Sequence, residues 1–222
     1  MVPDPTARFD PSPYAHPLIS ERAIDEPRRL RVIYVGAGIS GIVASIFFPQ
    51  YVPNLDLTIY DKNSDVGGTW FENRYPGCAC DIPAHSYQLS FESDVAWSKF
   101  YAGQPEILEY WRRVAEKYDV RRHMKFGKKC VGAKWDETGR KWHVEFEDVE
   151  TGERVEDVGD VFMTGTGVLN QWRWPDIPGM NEYQGKLMHS AAYDDTFDCT
   201  VSSTVLEASW THTRFVGKLS SS

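Results

Sequence analysis

From Leu30 to Val35 the chain reads LRVIYV, an apolar, β-branched run closed by glycine, which predicts a strand buried on both faces. GAGISGIVASIFF follows, a glycine turn opening into a short helix that should end near Pro49. In LDLTIYD (55–61) the alternation of Leu55, Leu57 and Ile59 predicts a second strand, and the three pieces together make a β-α-β unit. Residues 67–103 carry no period and read as an aromatic loop. Pro105 then suits the first turn of a helix, and Ile107, Tyr110, Trp111, Val114 and Tyr118 recur at helical spacing up to Tyr118-Asp119.

Beyond that helix, MKFGKKCVGAKWD (124–136) and RKWHVEFEDV (140–149) alternate as hairpin strands around Glu137-Thr138-Gly139. Trp142, Val144 and Phe146 fall on one face, His143 and Glu145 on the other. A turn at Thr151-Gly152 leads to DVFMTGTG (160–167), a buried return strand ending in glycines. This order predicts an α/β fold, a doubly wound parallel sheet with an antiparallel β excursion. Prolines at 3, 5, 11, 13, 17 and 27 keep residues 1–29 out of regular structure, as a Pro-rich N-terminal extension. At the other end, ten of the 24 residues from 199 to 222 are Ser or Thr with no period, an atypical tail outside the core.

Gly36, Gly38 and Gly41 form GxGxxG between a predicted strand and a predicted helix. The first glycine permits the tight turn, the second removes a Cβ where a pyrophosphate must approach, and the third lets helix and strand pack closely. The helix N-terminus then offers unpaired N–H groups and partial positive charge to phosphates. Asp61, at the end of the next strand, supplies a carboxylate for the hydroxyls of an adenosine ribose and would repel a 2′-phosphate. The motif by itself does not separate FAD from NAD.

Composition narrows the alternatives. A length of 222 residues suits one large domain or two small ones, and a net charge of −8 argues against a phosphate-driven nucleic-acid binder. The basic clusters Arg112-Arg113 and RRHMKFGKK (121–129) read as solvated positions. No apolar run approaches the ~18 residues that span a bilayer, so no stable membrane anchor is expected. Of the four cysteines, Cys78 and Cys80 form a CxC with no second pair nearby, too few ligands for zinc. They read as small packing residues, reduced as in a cytoplasmic protein. Histidines 16, 85, 123, 143 and 212 show no ligand spacing, so no metal site is expected.

The stretch DVGGTWFENRYPGCACD (65–81) is rigid, with glycines and Pro76 allowing close approach to a planar ring, and it ends on a carboxylate. With Gly36-Ala37-Gly38-Ile39-Ser40-Gly41, Tyr87, MTGTG (163–167), VLNQWRWPDIPG (168–179) and YQGKLMHSAAYD (183–194), it resembles the class B flavoprotein monooxygenases of the Baeyer–Villiger branch. The similarity runs over residues 30–198 and is nearest to fungal FAD-binding monooxygenases of secondary-metabolite pathways. The last segment resembles the fingerprint FxGxxxHxxxW, with Gly185 and His189 in place, Tyr183 for Phe and Tyr193 for Trp.

That resemblance implies a Rossmann-like FAD-binding domain over 30–180 and a fingerprint-bearing linker over 181–198. It implies cofactor contacts at Gly36, Ala37, Gly38, Ile39, Ser40, Gly41, Asp61, Gly68, Thr69, Trp70, Phe71, Glu72, Ala79, Cys80, Asp81, Tyr87 and Val131. Ala79, Cys80 and above all Asp81 would face the nicotinamide, Asp81 being the candidate catalytic group, while His189 would support the linker rather than the chemistry. It further implies NADPH as reductant, O2, a small-molecule ketone and insertion of oxygen to give an ester or lactone. No second GxGxxG follows the fingerprint, so a chain truncated before its NADPH domain is expected. Two other readings stand beside this one: an N- or S-oxygenating flavin monooxygenase, and a non-catalytic FAD-binding remnant.

Overall fold

The computed structural model describes residues 23, 25–168, 172–194, 196–197 and 206–208. Most of the N-terminal extension and nearly all of the Ser/Thr-rich tail therefore lie outside the described residues. β1 (Leu30–Val35), α1 (Ile39–Tyr51) and β2 (Leu55–Tyr60) form the expected unit, with β1 and β2 parallel and Leu30 opposite Leu55. α1 runs two residues past Pro49. Proline suits helical φ and removes only one N–H, and Val52 still donates to the Phe48 carbonyl at 2.9 Å.

The predicted hairpin forms around Glu137-Thr138-Gly139, but its first arm is shorter than the 124–136 run. The run from 124 to 136 divides into β3 (Met124–Lys125) and β4 (Lys128–Asp136) at a turn where Gly127 has φ +67°. β3 pairs with β2, and Lys125 O accepts from Asp61 N–H at 3.0 Å. β4 belongs to a separate antiparallel sheet with β5 (Lys141–Asp148) and β6 (Arg154–Gly159). β6 escapes the sequence pattern because RVEDVG presents mostly exposed positions and has no apolar alternation. β7 (Val161–Thr164) returns beside β1, giving the all-parallel order β3-β2-β1-β7.

Within the expected loop, α2 (Thr69–Glu72) makes a single turn, and α3 (Gln104–Lys117) starts with Pro105 in its first turn. β8 (Leu187–His189) pairs in parallel with β9 (Leu206–Ala208).

Two cores follow from the alternation of β1. Val32 and Tyr34 face α1 and α3, packing with Ile42, Ile46, Ile107, Trp111 and Val114. Ile33 and Val35 face the antiparallel sheet, packing with Tyr60, Val144 and Phe146. The parallel sheet thus has helices on one face and strands on the other, and an apolar strand at its centre satisfies both. Phe146 is fully buried, its ring stacked on Tyr60 at 3.8 Å between centroids. A polar clamp at the edge of this second interface joins the same layers: Arg31 donates to Asp56 and Thr58 and pairs with Asp157, which also accepts from the Tyr60 hydroxyl at 2.7 Å.

Among the described residues no helix is long and apolar enough to cross a membrane, and no group of three or more His, Cys, Asp or Glu could hold a metal ion.

Because the Phe146 side chain is fully buried between the two sheets, Phe146→Ala should cost about 3–5 kcal/mol in denaturant unfolding. A loss below about 1 kcal/mol would show that the antiparallel layer does not depend on this contact.

Candidate dinucleotide site

The glycine turn works through contact of backbone on backbone. A Cβ on residue 41 would lie 2.1 Å from the Gly36 carbonyl oxygen, inside any van der Waals limit. Gly36 itself has φ +113°, and a Cβ there would lie 2.4 Å from the Gly165 carbonyl oxygen at the end of β7. Hydrogen bonds hold this geometry: Gly36 N–H to Tyr60 O at 2.8 Å, Gly165 N–H to Val35 O at 2.7 Å, and Gly67 N–H to Ala37 O at 3.1 Å. Three chain segments therefore meet with almost no side chains between them.

Above this floor lies an open cleft of about 710 Å3. Gly36, Gly38, Ile39, Ser40, Asp61, Gly68, Thr69, Trp70, Glu72 and Tyr87 of the sequence-derived set all line it. α1 enters with Gly38 as its N-cap, no side-chain cap and no acidic residue in its first turn. Its first N–H groups have no partner within the helix and are left for a ligand at the cleft.

Asp61 is buried, yet it lines the cleft. Its Oδ2 accepts the Ala37 N–H at 2.6 Å and its Oδ1 the Asn63 N–H at 2.8 Å. Burial raises its pKa, and these two backbone bonds oppose the rise. A carboxylate oxygen has two lone pairs, so each retains capacity for a hydroxyl. Glu72 accepts from Asn63 Nδ2 at 2.9 Å and pairs with Lys62 at 3.1 Å. Trp70, also in the cleft lining, is buried and donates its indole N–H to the Tyr87 hydroxyl at 3.0 Å, with the rings edge to face. Burial raises the Tyr87 pKa, so the phenol stays protonated near neutrality.

Other expected residues stand elsewhere. Ala37 and Gly41 are buried beneath the turn, and Phe71 packs into the first core. Ala79 pairs with Gly103, Cys80 is buried with its N–H on the Ala102 carbonyl at 3.1 Å, and Asp81 is exposed beyond the cleft lining. Val131 is the unpaired residue of a bulge in β4 and points outward, 38% exposed, while its neighbour Cys130 lines the cleft.

Gly185 lies beneath the Tyr183 ring, and His189 is buried, stacked on Trp172 at 4.6 Å and edge-on to Trp174 at 5.7 Å. Its Nδ1 accepts the Ala191 N–H at 3.1 Å, and burial lowers its pKa. Neither Gly185 nor His189 lines the cleft.

Lys62, Asn63, Cys130, Thr166, Gly167 and Val168 also line the cleft, as do Lys128 and Lys129, which as part of the basic cluster 121–129 read as merely solvated positions. Only Thr166 and Gly167, within the glycine-ended MTGTG, carried a usable signal. Lys128 and Lys129 reach the cleft because the strand breaks at Gly127, and Lys128 N–H then bonds to the Asp61 carbonyl at 2.8 Å.

Comparison with known proteins agrees with this geometry. The family described as NAD(P)-binding Rossmann-like domain matches residues 35–103. The FAD-binding monooxygenase tazF of Aspergillus terreus is 42% identical over 174 residues, 78% of this chain and 31% of that protein. A Baeyer–Villiger monooxygenase of Streptomyces coelicolor is 34% identical over 169 residues, 76% of this chain and 31% of that protein. Cyclohexanone monooxygenase from Rhodococcus sp. Phi1, in a crystal structure bound to NADP+, superposes with a TM-score of 0.66 at 32% identity, over 78% of this chain and 32% of that one. The chain thus spans about a third of the length of the relatives it matches. Over more than three quarters of its residues, the chain is similar to about a third of the length of the FAD-binding monooxygenases that include the Baeyer–Villiger enzymes.

Proposed function

We infer that this chain holds FAD in the glycine-floored cleft and serves as the flavin-binding part of a Baeyer–Villiger-type monooxygenase. The observation that carries the reading is the cradle itself. Carbonyls and N–H groups of three segments meet where a Cβ on residue 36 or 41 would collide, and a buried carboxylate stands beside them. Such a floor suits a diphosphate, which needs N–H donors and close backbone approach. Asp61 would take the adenosine ribose through its free lone pairs. NAD shares this adenylate half, so the turn alone favours neither dinucleotide. The longer wall from Gly67 to Glu72, closed by Trp70 and Tyr87, supports the larger flavin.

A bound flavin would supply the activation of O2 with NADPH as reductant, one oxygen atom of O2 entering beside the carbonyl carbon of a small-molecule ketone and the other leaving as water. The residues of this chain bind and orient. The α1 N-terminus fixes the diphosphate, Asp61 fixes the ribose, and the buried Trp70 with Tyr87 excludes water along one wall. Asp81, at the exposed end of the 67–81 segment, would meet the nicotinamide and hold its carboxamide or a nearby proton. His189, between its two tryptophans, would steady the linker and take no part in the chemistry.

Fluorescence titration should give saturable FAD binding with FMN much weaker, since FMN lacks the adenylate half. Absence of FAD binding by the folded chain would overturn the reading. Asp61→Ala should weaken FAD about tenfold, because two backbone N–H groups and the ribose lose a charged acceptor.

The ionised form of Asp61 is the better acceptor, and its folded pKa is raised. FAD affinity should therefore be full at neutral pH and fall on acidification at a pH above the ordinary aspartate value of 3.8. An affinity unchanged down to pH 4 would remove Asp61 from the ribose site. Asp81→Ala should leave FAD affinity within about twofold while slowing flavin reduction by NADPH in stopped flow. Normal reduction would exclude a nicotinamide role for Asp81.

A further inference from the structure

The segment from Gly67 to Asp81 carries the wall of the cleft, yet its own regular structure is one helical turn. A four-residue helix leaves its carbonyls without partners inside the helix. The carbonyl of Trp70 is satisfied from outside. Gln104, the first residue of α3 and buried at 7% exposure, donates its side-chain amide to the Trp70 carbonyl oxygen across 34 positions of sequence. The backbone of the same residue binds the other arm of the segment, Gln104 N–H to Cys78 O at 2.8 Å. The ladder continues from that bond, where Ala79 pairs with Gly103 and Cys80 N–H bonds to Ala102 O at 3.1 Å. One residue therefore joins the turn that bears Trp70 to the strand-like arm that precedes Asp81.

We propose that Gln104 is the positioning residue of the flavin-facing wall, fixing Trp70 and the 78–81 arm in register so that the ring half of a flavin dinucleotide finds a preformed surface. This rests on the reading of the cleft as an FAD site. Gln104 does not line the cleft, so its action passes through the Trp70 carbonyl rather than through contact with the ligand. The buried amide suits this task. A carbonyl inside the core must be paired, and an uncharged donor on the rigid first turn of α3 meets it without the desolvation cost of a lysine. Trp70 then holds its indole against Tyr87, and the wall keeps one shape.

The test separates the two halves of the ligand. ADP probes the glycine turn and Asp61, whereas FAD probes these together with the wall. In Gln104→Met, which keeps the volume and removes the donor, FAD affinity should fall about tenfold, the size expected when a buried carbonyl loses its partner, while ADP affinity stays within about twofold. Equal affinities for both ligands in variant and wild type would overturn the proposal, and so would an equal loss of both. Should Gln104→Met not fold by circular dichroism, Gln104→Leu carries the same comparison, since it too removes the donor without adding a charge or a new donor.

A second measurement needs no variant. In hydrogen exchange of the wild-type chain, ADP should protect the 36–41 turn alone, and FAD should also protect 67–81 together with the first turn of α3. Protection of 67–81 without α3 would contradict the proposal. If the wild-type chain binds ADP but not FAD, or neither, the flavin reading itself fails.

Discussion

The Gly36 carbonyl occupies the place where a side chain on residue 41 would have to be, and the Gly165 carbonyl does the same to residue 36. That mutual exclusion of side chains is the constraint on which the centre of the molecule depends. It lets the β1–α1 turn, the end of β7 and the start of the 67–81 segment converge as bare peptide. A converging peptide surface is polar, rigid and shallow, a shape that suits the proposed anion and flat ring. The N-terminus of α1 adds its field at that point, with no acidic side chain nearby in the helix to cancel it.

Packing then serves this arrangement from both sides. β1 is apolar at successive positions because one face meets the helices and the other meets the antiparallel sheet. Phe146 and Val144 press on Tyr60 and Val35, immediately before Asp61 and Gly36. The antiparallel layer, remote from the cleft in most of its length, is thereby a support for the two residues at which the cleft begins. Asp61 tightens the junction further, since its carboxylate holds the Ala37 amide and its carbonyl accepts from Lys128. A ligand that engages Asp61 thus touches the turn, β2 and the start of β4 at once.

Much of this was legible in the sequence, and the parts that were not share a cause. Trp70 came with the family resemblance, whereas GxGxxG and Asp61 stand out because the spacing of strand, turn and helix marks them. β6 does not, because an edge strand exposed on most of its residues has no hydrophobic period to read. The division of the 124–136 run is likewise silent, since Met124 and Lys125 join β2 through a contact that only the folded chain creates. Val131 illustrates a smaller failure: a bulge shifts the alternation by one residue, and Cys130 takes the inward place. Gln104 was invisible for a different reason, as its partner lies 34 positions away and is a backbone carbonyl. Family resemblance carried the rest, including the linker histidine, whose tryptophan stack no spacing rule would have suggested.

The most direct test of the central claim is a crystal structure of this chain with FAD. The expected result is a diphosphate within hydrogen-bond distance of the backbone N–H groups at the start of α1, the ribose on Asp61, and the isoalloxazine along the wall formed by Gly67–Glu72 and Tyr87. Flavin density elsewhere, or a diphosphate away from the glycine turn, would contradict it.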